Sequence, residues 1–281
     1  MSDQLHGEVL NQALPYIQQF RGQTFVVKYG GSAMKDPHLM NGVIRNVLLL
    51  QLVGIRVILV HGGGPEIDHW LVKLGIEKQV RNGLRVTDDA TMDVVEMALA
   101  GRANKALVAE IQKAGGQAVG LSGRDADLLQ GFPMGDGLGR TGSVAHVAPD
   151  ILQTLITSGY IPVVCSVATG PNHEALNVNA DIAAGAIAGA LKANKLILLT
   201  DTNGVLSDRN DPASHISSLS VAEARTMLAT GEADRGMIPK LEGALDALNH
   251  GVERVHLING GSENALLIEI FTDHGIGTMM E

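Results

Sequence analysis

Six short runs rich in β-branched residues recur along the chain, each followed by a helix-length segment. They are TFVVK (24–28), RVILV (56–60), QAVGL (117–121), IPVVC (161–165), KLILLT (195–200) and RVHLI (254–258). Their apolarity is nearly continuous rather than alternating. A strand can carry apolar groups on both faces only if both faces are covered, which is the situation of a parallel sheet sandwiched by helices. The intervening segments fit that reading. Helices are predicted from Pro65 towards Gly75, from Thr87 towards Gly115, and over 149–158, 181–192, 220–230 and 237–250. Alternating strands and helices predict an α/β fold: an open, mainly parallel central sheet with right-handed crossovers. One stretch breaks the rhythm. QGFPMGDGLGRTGSVAH (130–146) carries five glycines and a proline, and predicts a hairpin or lid-like excursion.

The chain is long enough for one large domain or two joined lobes. The division expected is a separate N-terminal helix over 1–22, a first lobe over 23–178 and a second over 179–281, with a boundary where LNV meets the Ala-rich DIAAGAIAGALKA. Aromatics are 3% of the chain, so Val, Ile, Leu and Ala must fill the core. The formal charge of −9 removes any general attraction for nucleic acid or anionic membrane. The N-terminus lacks the pattern of a signal peptide, and no apolar run reaches the ~18 residues of a membrane span. A cytoplasmic protein is expected. The single cysteine, Cys165, lies within IPVVC and reads as a buried thiol.

Two strands end in the same unusual way. VVKYGGSAM (26–34) places Lys28 before Gly30 and Gly31, and VILVHGGGP (57–65) places His61 before Gly62, Gly63 and Gly64. In an open parallel sheet, ligands sit beyond the carboxyl ends of strands. Glycines let backbone N–H groups approach a ligand, and a helix N-terminus adds a positive dipole end. Together they make an anion cradle, with Lys28 adding a full charge. Neither a P-loop nor a G-x-G-x-x-G fingerprint is present.

Other pieces are ambiguous alone. Arg85 and Thr87 in GLRVTD precede a helix; the arginine suits a carboxylate clamp or a surface ion pair. Asn177, Asn179 and Asp181 in LNVNAD suit a binding site or a helix cap. Asp201, Asn203 and Gly204 in LLTDTNGVL form a strand-end turn suited to lining a nucleotide pocket. Lys240 in GMIPKLEGAL is either functional or a solvated surface lysine.

Taken in order along nearly the whole chain, these motifs, with MDVVEMALAGRANKALV, GLSGRDADL and EIFTDHGIGTMM, resemble the amino-acid kinase family, and within it the acetylglutamate kinases. Carbamate kinases and aspartokinases share the glycine loops but not GLRVTD with LNVNAD. The resemblance implies transfer of the γ-phosphoryl group of ATP, accompanied by Mg²⁺, to the side-chain carboxylate of N-acetyl-L-glutamate in arginine synthesis, with no protein-held metal. It implies that Lys28 and Lys240 flank the transferring group and that Asp181 holds them. It places Gly63, Gly64, Arg85 and Asn177 on acetylglutamate, and Gly30, Gly31, Asp201, Asn203, Gly204 and Lys240 on the nucleotide. Two departures stand out: the 130–146 excursion is short for the family's substrate lid, and Glu66 stands where glutamine is common. Alternatives are a kinase for carrier-protein-bound aminoadipate and a non-catalytic amino-acid sensor of the same fold.

The N-terminal segment EVLNQALPYIQQF predicts an amphipathic helix with Val9, Leu10, Ala13, Leu14, Ile17 and Phe20 at helical spacing, kinked at Pro15. Its apolar face is covered either by its own domain or by a partner subunit. The segment resembles that of the arginine-inhibited, hexameric branch of the family. That resemblance implies a trimer of dimers, with Tyr16, Lys195, His256 and Glu269 as candidate contacts for arginine.

Overall fold

A computed structural model describes residues 3–281 except 31–33, 35, 209–210, 212–213 and 234–235, with side chains described from residue 7 onward. Eight strands form the central sheet: β1 (Thr24–Tyr29), β2 (Arg56–His61), β3 (Ala118–Ser122), β4 (Ile161–Cys165), β5 (Lys195–Thr200), β6 (Ser218–Leu219), β7 (Arg254–Asn259) and β8 (Thr278–Met280). Their order is β6-β8-β7-β5-β1-β2-β4-β3. The six runs read from the sequence are the six contiguous strands from β7 to β3, all parallel to their neighbours. β8 enters antiparallel, against β7, and β6 pairs parallel to β8, so these two edge strands run opposite to the other six.

The double burial of these strands has a two-residue period. Val26, Ile58, Val60, Val164, Leu196 and Leu198 face one core, shared with helices Asp150–Thr157, Ala180–Ala190, Val221–Thr230 and Ile238–Asn249. Phe25, Val27, Val57, Leu59, Val163, Ile197 and Leu199 face the other, shared with helices Pro37–Leu52, Asn104–Lys113 and Ala265–Phe271. Each such side chain contributes roughly 1.5–3 kcal/mol when fully buried. Cys165 is fully buried, and burial pushes its thiol up to about 12, so it is a core residue.

Chain order reverses at β1. Strands β2, β4 and β3 lie on one side of it, β5 and β7 on the other. This is a topological switch point, where the flanking loops diverge and leave a crevice beyond the carboxyl ends of the strands. Lys28 sits at that end of β1 and the 62–64 glycines at that end of β2. The glycine-rich excursion is a hairpin, Leu129–Pro133 against Thr141–Val147. It closes with Val167–Thr169 and Ala175–Val178 into a small four-stranded barrel beside the crevice.

The helix predicted from Thr87 to Gly115 runs from Asp89 to Lys113, but not uniformly. Asp88 caps it by accepting from the Thr91 N–H, and residues Met97–Ala103 wind as a π-helix. The N-terminal helix, Asp3–Phe20, continues across Pro15. Phe20 is buried and Tyr16 packs on the same core, whereas Val9, Leu10 and Leu14 are 53%, 71% and 49% exposed. Its C-terminal end is therefore covered by its own chain, and the apolar face nearer its start is not.

Candidate active site

Two helices meet closely under the crevice. A methyl group on Gly185 would stand 2.8 Å from the carbonyl oxygen of Gly243, and one on Gly243 would stand 3.3 Å from that of Asp181. Helices Ala180–Ala190 and Ile238–Asn249 can approach this far only because both residues are glycine. The approach places Asp181, one turn before Gly185, beside Lys240, one turn before Gly243. Lys240 Nζ lies 3.3 Å from Asp181 Oδ2, and Lys28 Nζ, arriving from β1, lies 2.9 Å from Oδ1. The Oδ2 contact is a hydrogen bond; the Oδ1 contact is an ion pair without hydrogen-bond alignment.

Asp181 is free for this because Asn179 caps the helix, its side-chain oxygen accepting from the N–H groups of Asp181 and Ile182. The Asp181 side chain is 7% exposed. Burial alone would push its carboxyl up, but the Lys28 and Lys240 ammonium groups outweigh burial and hold it below the ordinary range. One buried anion between two cations leaves a net positive charge at the switch point. Lys240 is thus no solvated surface lysine. Gly30 adjoins the cluster, since a methyl group there would stand 2.8 Å from Lys28 Nζ. Gly31 lies outside the described residues.

The second glycine loop meets this cluster. Gly62 faces Ala180, with 3.2 Å between that residue's methyl and a methyl added to the glycine. Gly63 is extended, φ 172°, and caps helix Gly64–Leu74. Its need for glycine is spatial, because an added methyl would stand 2.5 Å from Leu99 Cδ2 of the π-helical segment. Glu66, in the first turn, accepts from Trp70 Nε1 at 2.9 Å and pairs with Arg102 Nε at 2.7 Å. The carboxylate therefore ties the glycine-loop helix to the π-helix, which accounts physically for glutamate at that position.

Arg85 and Asn177 converge on Thr87. Asn177 Nδ2 donates to Thr87 Oγ1 at 3.0 Å, Thr87 Oγ1 lies 2.9 Å from Thr141 Oγ1, and Thr141 Oγ1 donates to the Arg85 carbonyl. The Arg85 guanidinium is held by Asp68, Nη2 to Oδ1 at 2.5 Å, and its buried Nη1 has no hydrogen-bond partner among the described residues. Burial works against the charge on Asp68, but Lys78 and Arg85 prevail and lower its carboxyl. A guanidinium with one edge paired and the other buried and unmet has donors to spare for a further acceptor.

Asp201, Asn203 and Gly204 lie beyond the carboxyl end of β5, adjacent to β1. Asn203 Oδ1 accepts from Asn259 Nδ2 at 2.7 Å, linking this turn to the end of β7. Gly204 has φ +83°, and an added methyl would stand 2.5 Å from Thr278 Oγ1. Among the described residues, no group of three or more His, Cys, Asp or Glu side chains is placed to hold a metal ion. Asp68, Thr141 and Asn104 belong to the site's framework and were not picked out from sequence. Thr141 is buried in the glycine-rich excursion, and Asp68 carries no local signal beyond its helix.

The chain matches the amino acid kinase family over residues 23–259. An acetylglutamate kinase of Nostoc sp. is 56% identical over 97% of this chain and 92% of its own length. The chain belongs to the acetylglutamate kinases. Among solved structures, the N-acetylglutamate synthase from Neisseria gonorrhoeae complexed with coenzyme A and N-acetyl-glutamate superposes with a TM-score of 0.85 at 27% identity, covering 97% of this kinase and 62% of the synthase. The same synthase complexed with coenzyme A and L-arginine gives a TM-score of 0.82 at 26% identity, covering 100% of this kinase and 65% of the synthase.

The remaining four sequence-derived residues lie at the other end of the sheet. Lys195 opens β5, and its Nζ lies 2.9 Å from His256 Nε2; His256 Nδ1 lies 2.6 Å from Glu269 Oε1. Glu269 Oε2 accepts from the N–H groups of Ile276 and Gly277. Lys195 also stands over the Phe20 ring, 5.1 Å from its centroid. Tyr16 joins from the N-terminal helix by donating its hydroxyl to Asp273. Lys195, His256 and Glu269 are thus a buried network, not strand-end or helix-surface polarity. No helix among the described residues is long and apolar enough to cross a membrane.

Proposed function

We propose that this kinase transfers the γ-phosphoryl group of ATP to the side-chain carboxylate of N-acetyl-L-glutamate, giving an acyl phosphate for arginine biosynthesis, and that Lys28, Asp181 and Lys240 carry the transfer. The observation that supports this most is the pair of ammonium groups gripping one buried carboxylate at the switch point. The acceptor carboxylate is already an anion at neutral pH, so no general base is needed. The difficulty is bringing two anionic groups into line. Lys28 and Lys240, fixed by Asp181, offset the charge on the transferring group from two sides and need no reorganisation when it forms. Mg²⁺ accompanying ATP would supply further positive charge to offset the same anionic group, without a metal-holding cluster from the described residues of this chain.

The Gly63 and Gly64 N–H groups hold the reacting carboxylate. The unmet Nη1 of Arg85 takes the α-carboxylate, and Asn177 takes the acetamido portion. Gly30, Gly31, Asp201, Asn203 and Gly204 line the nucleotide side. The chain before residue 178 then supplies the acetylglutamate half and the chain after it the ATP half. The hairpin at 129–147 borders the acceptor side as a short lid. Incubating the protein with ATP, free N-acetylglutamate and hydroxylamine tests the reaction. Hydroxamate that depends on both substrates supports it; none with the free amino acid, but product with a carrier-bound acceptor, overturns it.

We also propose that the enzyme is a cytoplasmic trimer of dimers inhibited by arginine. The uncovered face at Val9, Leu10 and Leu14 suits a second copy of the same helix. Glu269, beside Lys195, His256 and the Tyr16 helix, suits an arginine guanidinium, and the related synthase binds L-arginine. Deleting residues 1–20 is expected to leave active dimers that ignore arginine. A full-length protein that sediments as a dimer, or truncated dimers still inhibited at the same arginine concentration, overturns this reading.

A further inference from the structure

His61 ends β2 and has no place in the transfer chemistry described above, yet it is fully buried at the entrance to the glycine loop. Its two ring nitrogens have different partners. Nε2 faces Asn104 Nδ2 at 3.1 Å, and Nδ1 faces the Gly62 carbonyl oxygen at 2.8 Å. An amide NH₂ can only donate, so Nε2 must be the acceptor. A carbonyl oxygen can only accept, so Nδ1 must carry the proton. Burial supports a neutral ring, lowering its pKa to about 4.

Asn104 is itself fixed. It follows the π-helical segment directly and is fully buried. Its two Nδ2 hydrogens are shared among His61 Nε2 and the carbonyls of Val163 at 2.8 Å and Leu121 at 3.2 Å, while its Oδ1 accepts from Lys105 Nζ at 3.1 Å. β3 makes room for it with glycine, because a methyl on Gly120 would stand 2.0 Å from Asn104 Oδ1. The amide therefore cannot turn over without placing its oxygen against two carbonyls and a ring lone pair.

The consequence runs through one peptide plane. The Gly62 carbonyl and the Gly63 N–H belong to the same peptide unit, which is trans like every described peptide bond here. In a planar trans peptide the two point in opposite directions. Glycine on both sides leaves this plane otherwise free to rotate. The hydrogen bond from His61 removes that freedom: with the Gly62 oxygen drawn to the imidazole, the Gly63 N–H faces away from it.

We infer that His61, locked in its Nδ1–H tautomer by Asn104, is a positioning residue that turns the Gly63 N–H toward the acceptor carboxylate during phosphoryl transfer. This deepens the proposed function and rests on its assignment of Gly63 as a substrate donor. Asn104 and the π-helix serve the same end: Leu99 presses on Gly63 from the side while His61 holds the carbonyl.

Two substitutions separate the two ring nitrogens. The amide of His61→Asn stands near Nδ1 and can still donate to the Gly62 oxygen; that of His61→Gln stands near Nε2 and cannot. His61→Gln is expected to lower kcat by about 10- to 100-fold, as misaligned catalytic groups do, with little change in KM for either substrate. His61→Asn is expected to recover most of that loss, although it gives up the contact to Asn104 that His61→Gln can keep through its amide oxygen. A merely structural role predicts the reverse order: His61→Asn, shorter and without the Asn104 contact, loses at least as much melting temperature and kcat as His61→Gln. Parent kcat in His61→Gln, or a kcat loss in His61→Asn as large as or larger than that in His61→Gln, overturns the inference. If neither variant folds, nitrogen NMR of the imidazole in the full-length parent protein decides. Protonated Nδ1 and bare Nε2 throughout the neutral range support it, and protonated Nε2 overturns it. The assignment of the site fails separately, if Lys28→Ala keeps parent activity.

Discussion

Two buried lysine–carboxylate clusters stand at opposite ends of the same strands, and they are built for different work. At the carboxyl end of β1, Asp181 lies between Lys28 and Lys240, one anion to two cations. At the amino end of β5, Lys195 reaches Glu269 only through His256. The Lys195 ammonium donates to Nε2, so the ring passes a hydrogen bond from Nδ1–H to the carboxylate. Burial, opposed by Glu269, keeps His256 below its ordinary pKa, in agreement with a neutral ring. That second cluster is balanced: one cation, one neutral relay and one anion whose second oxygen is satisfied by two backbone N–H groups. The first is unbalanced toward positive charge and opens on the crevice. An excess cation is costly in a resting protein, and the proposed anionic ligands would offset it.

Removing the shared anion should produce the largest effect. Asp181→Asn leaves two ammonium groups facing each other in a buried site, and breaking such a group typically costs about 3–5 kcal/mol. Chemical denaturation should show a loss of that order, with a fall in kcat. The pH dependence has a definite sign. The Asp181 carboxyl is held below its ordinary 3.8, so its contribution to stability is present above that value and is lost as pH falls through the lowered one. The variant should lack this acid-side loss.

Next in size is the acceptor clamp. Arg85→Ala removes a charge-assisted contact worth roughly 1.5–3 kcal/mol, read as a raised KM for acetylglutamate with kcat and the KM for ATP nearly unchanged. A raised KM for ATP alone would move Arg85 to the wrong half of the crevice.

The far cluster should respond differently. Glu269→Gln weakens its bonds to His256, Ile276 and Gly277, at about 1–3 kcal/mol of stability, while kcat measured without arginine stays near the parent value. The smallest expected effect is a slope. Burial, with Arg254, lowers Lys195 from 10.5 to about 8 despite the opposing Glu269 and Glu253. Between those values the unfolded chain binds the proton and the folded one does not, so this group's contribution makes stability rise with pH across that window. Lys195→Met should flatten that part of the profile. An unchanged slope would mean that Lys195 is better solvated than its burial implies.

The contrast between the clusters also bears on what a sequence discloses. Strands β1 to β5 and β7 were legible because burial on both faces forces near-continuous apolarity. The two-residue β6 and three-residue β8 are too short to show a period. Helix Pro37–Leu52 went unread although Asp36 and Pro37 form a good start; its Asp36 carboxylate accepts from the His38 and Leu39 N–H groups. Lys28, Asp181 and Lys240 were recognisable by motif, but their meeting depends on Gly185 against Gly243, a tertiary contact with no local signature. The π-helical turn and the Asn104 network are equally invisible, because each residue there is ordinary in an α-helix and acquires its role from strands elsewhere in the chain. Lys195, His256 and Glu269 were drawn from family resemblance, and their spacing alone joins none of them.

The most direct test of the two-cluster account is a rapid-quench, single-turnover measurement of acyl-phosphate formation at saturating ATP and acetylglutamate. It compares Lys28→Ala, Lys240→Ala and Lys195→Ala with the parent protein. Saturation removes binding from the comparison, so the rate reports the charge acting on the transferring group. The account predicts losses of about 100- to 1000-fold for Lys28→Ala and Lys240→Ala, as for other preorganised transition-state donors, and a near-parent rate for Lys195→Ala. Near-parent rates for Lys28→Ala or Lys240→Ala, or an equal loss in all three, would contradict it.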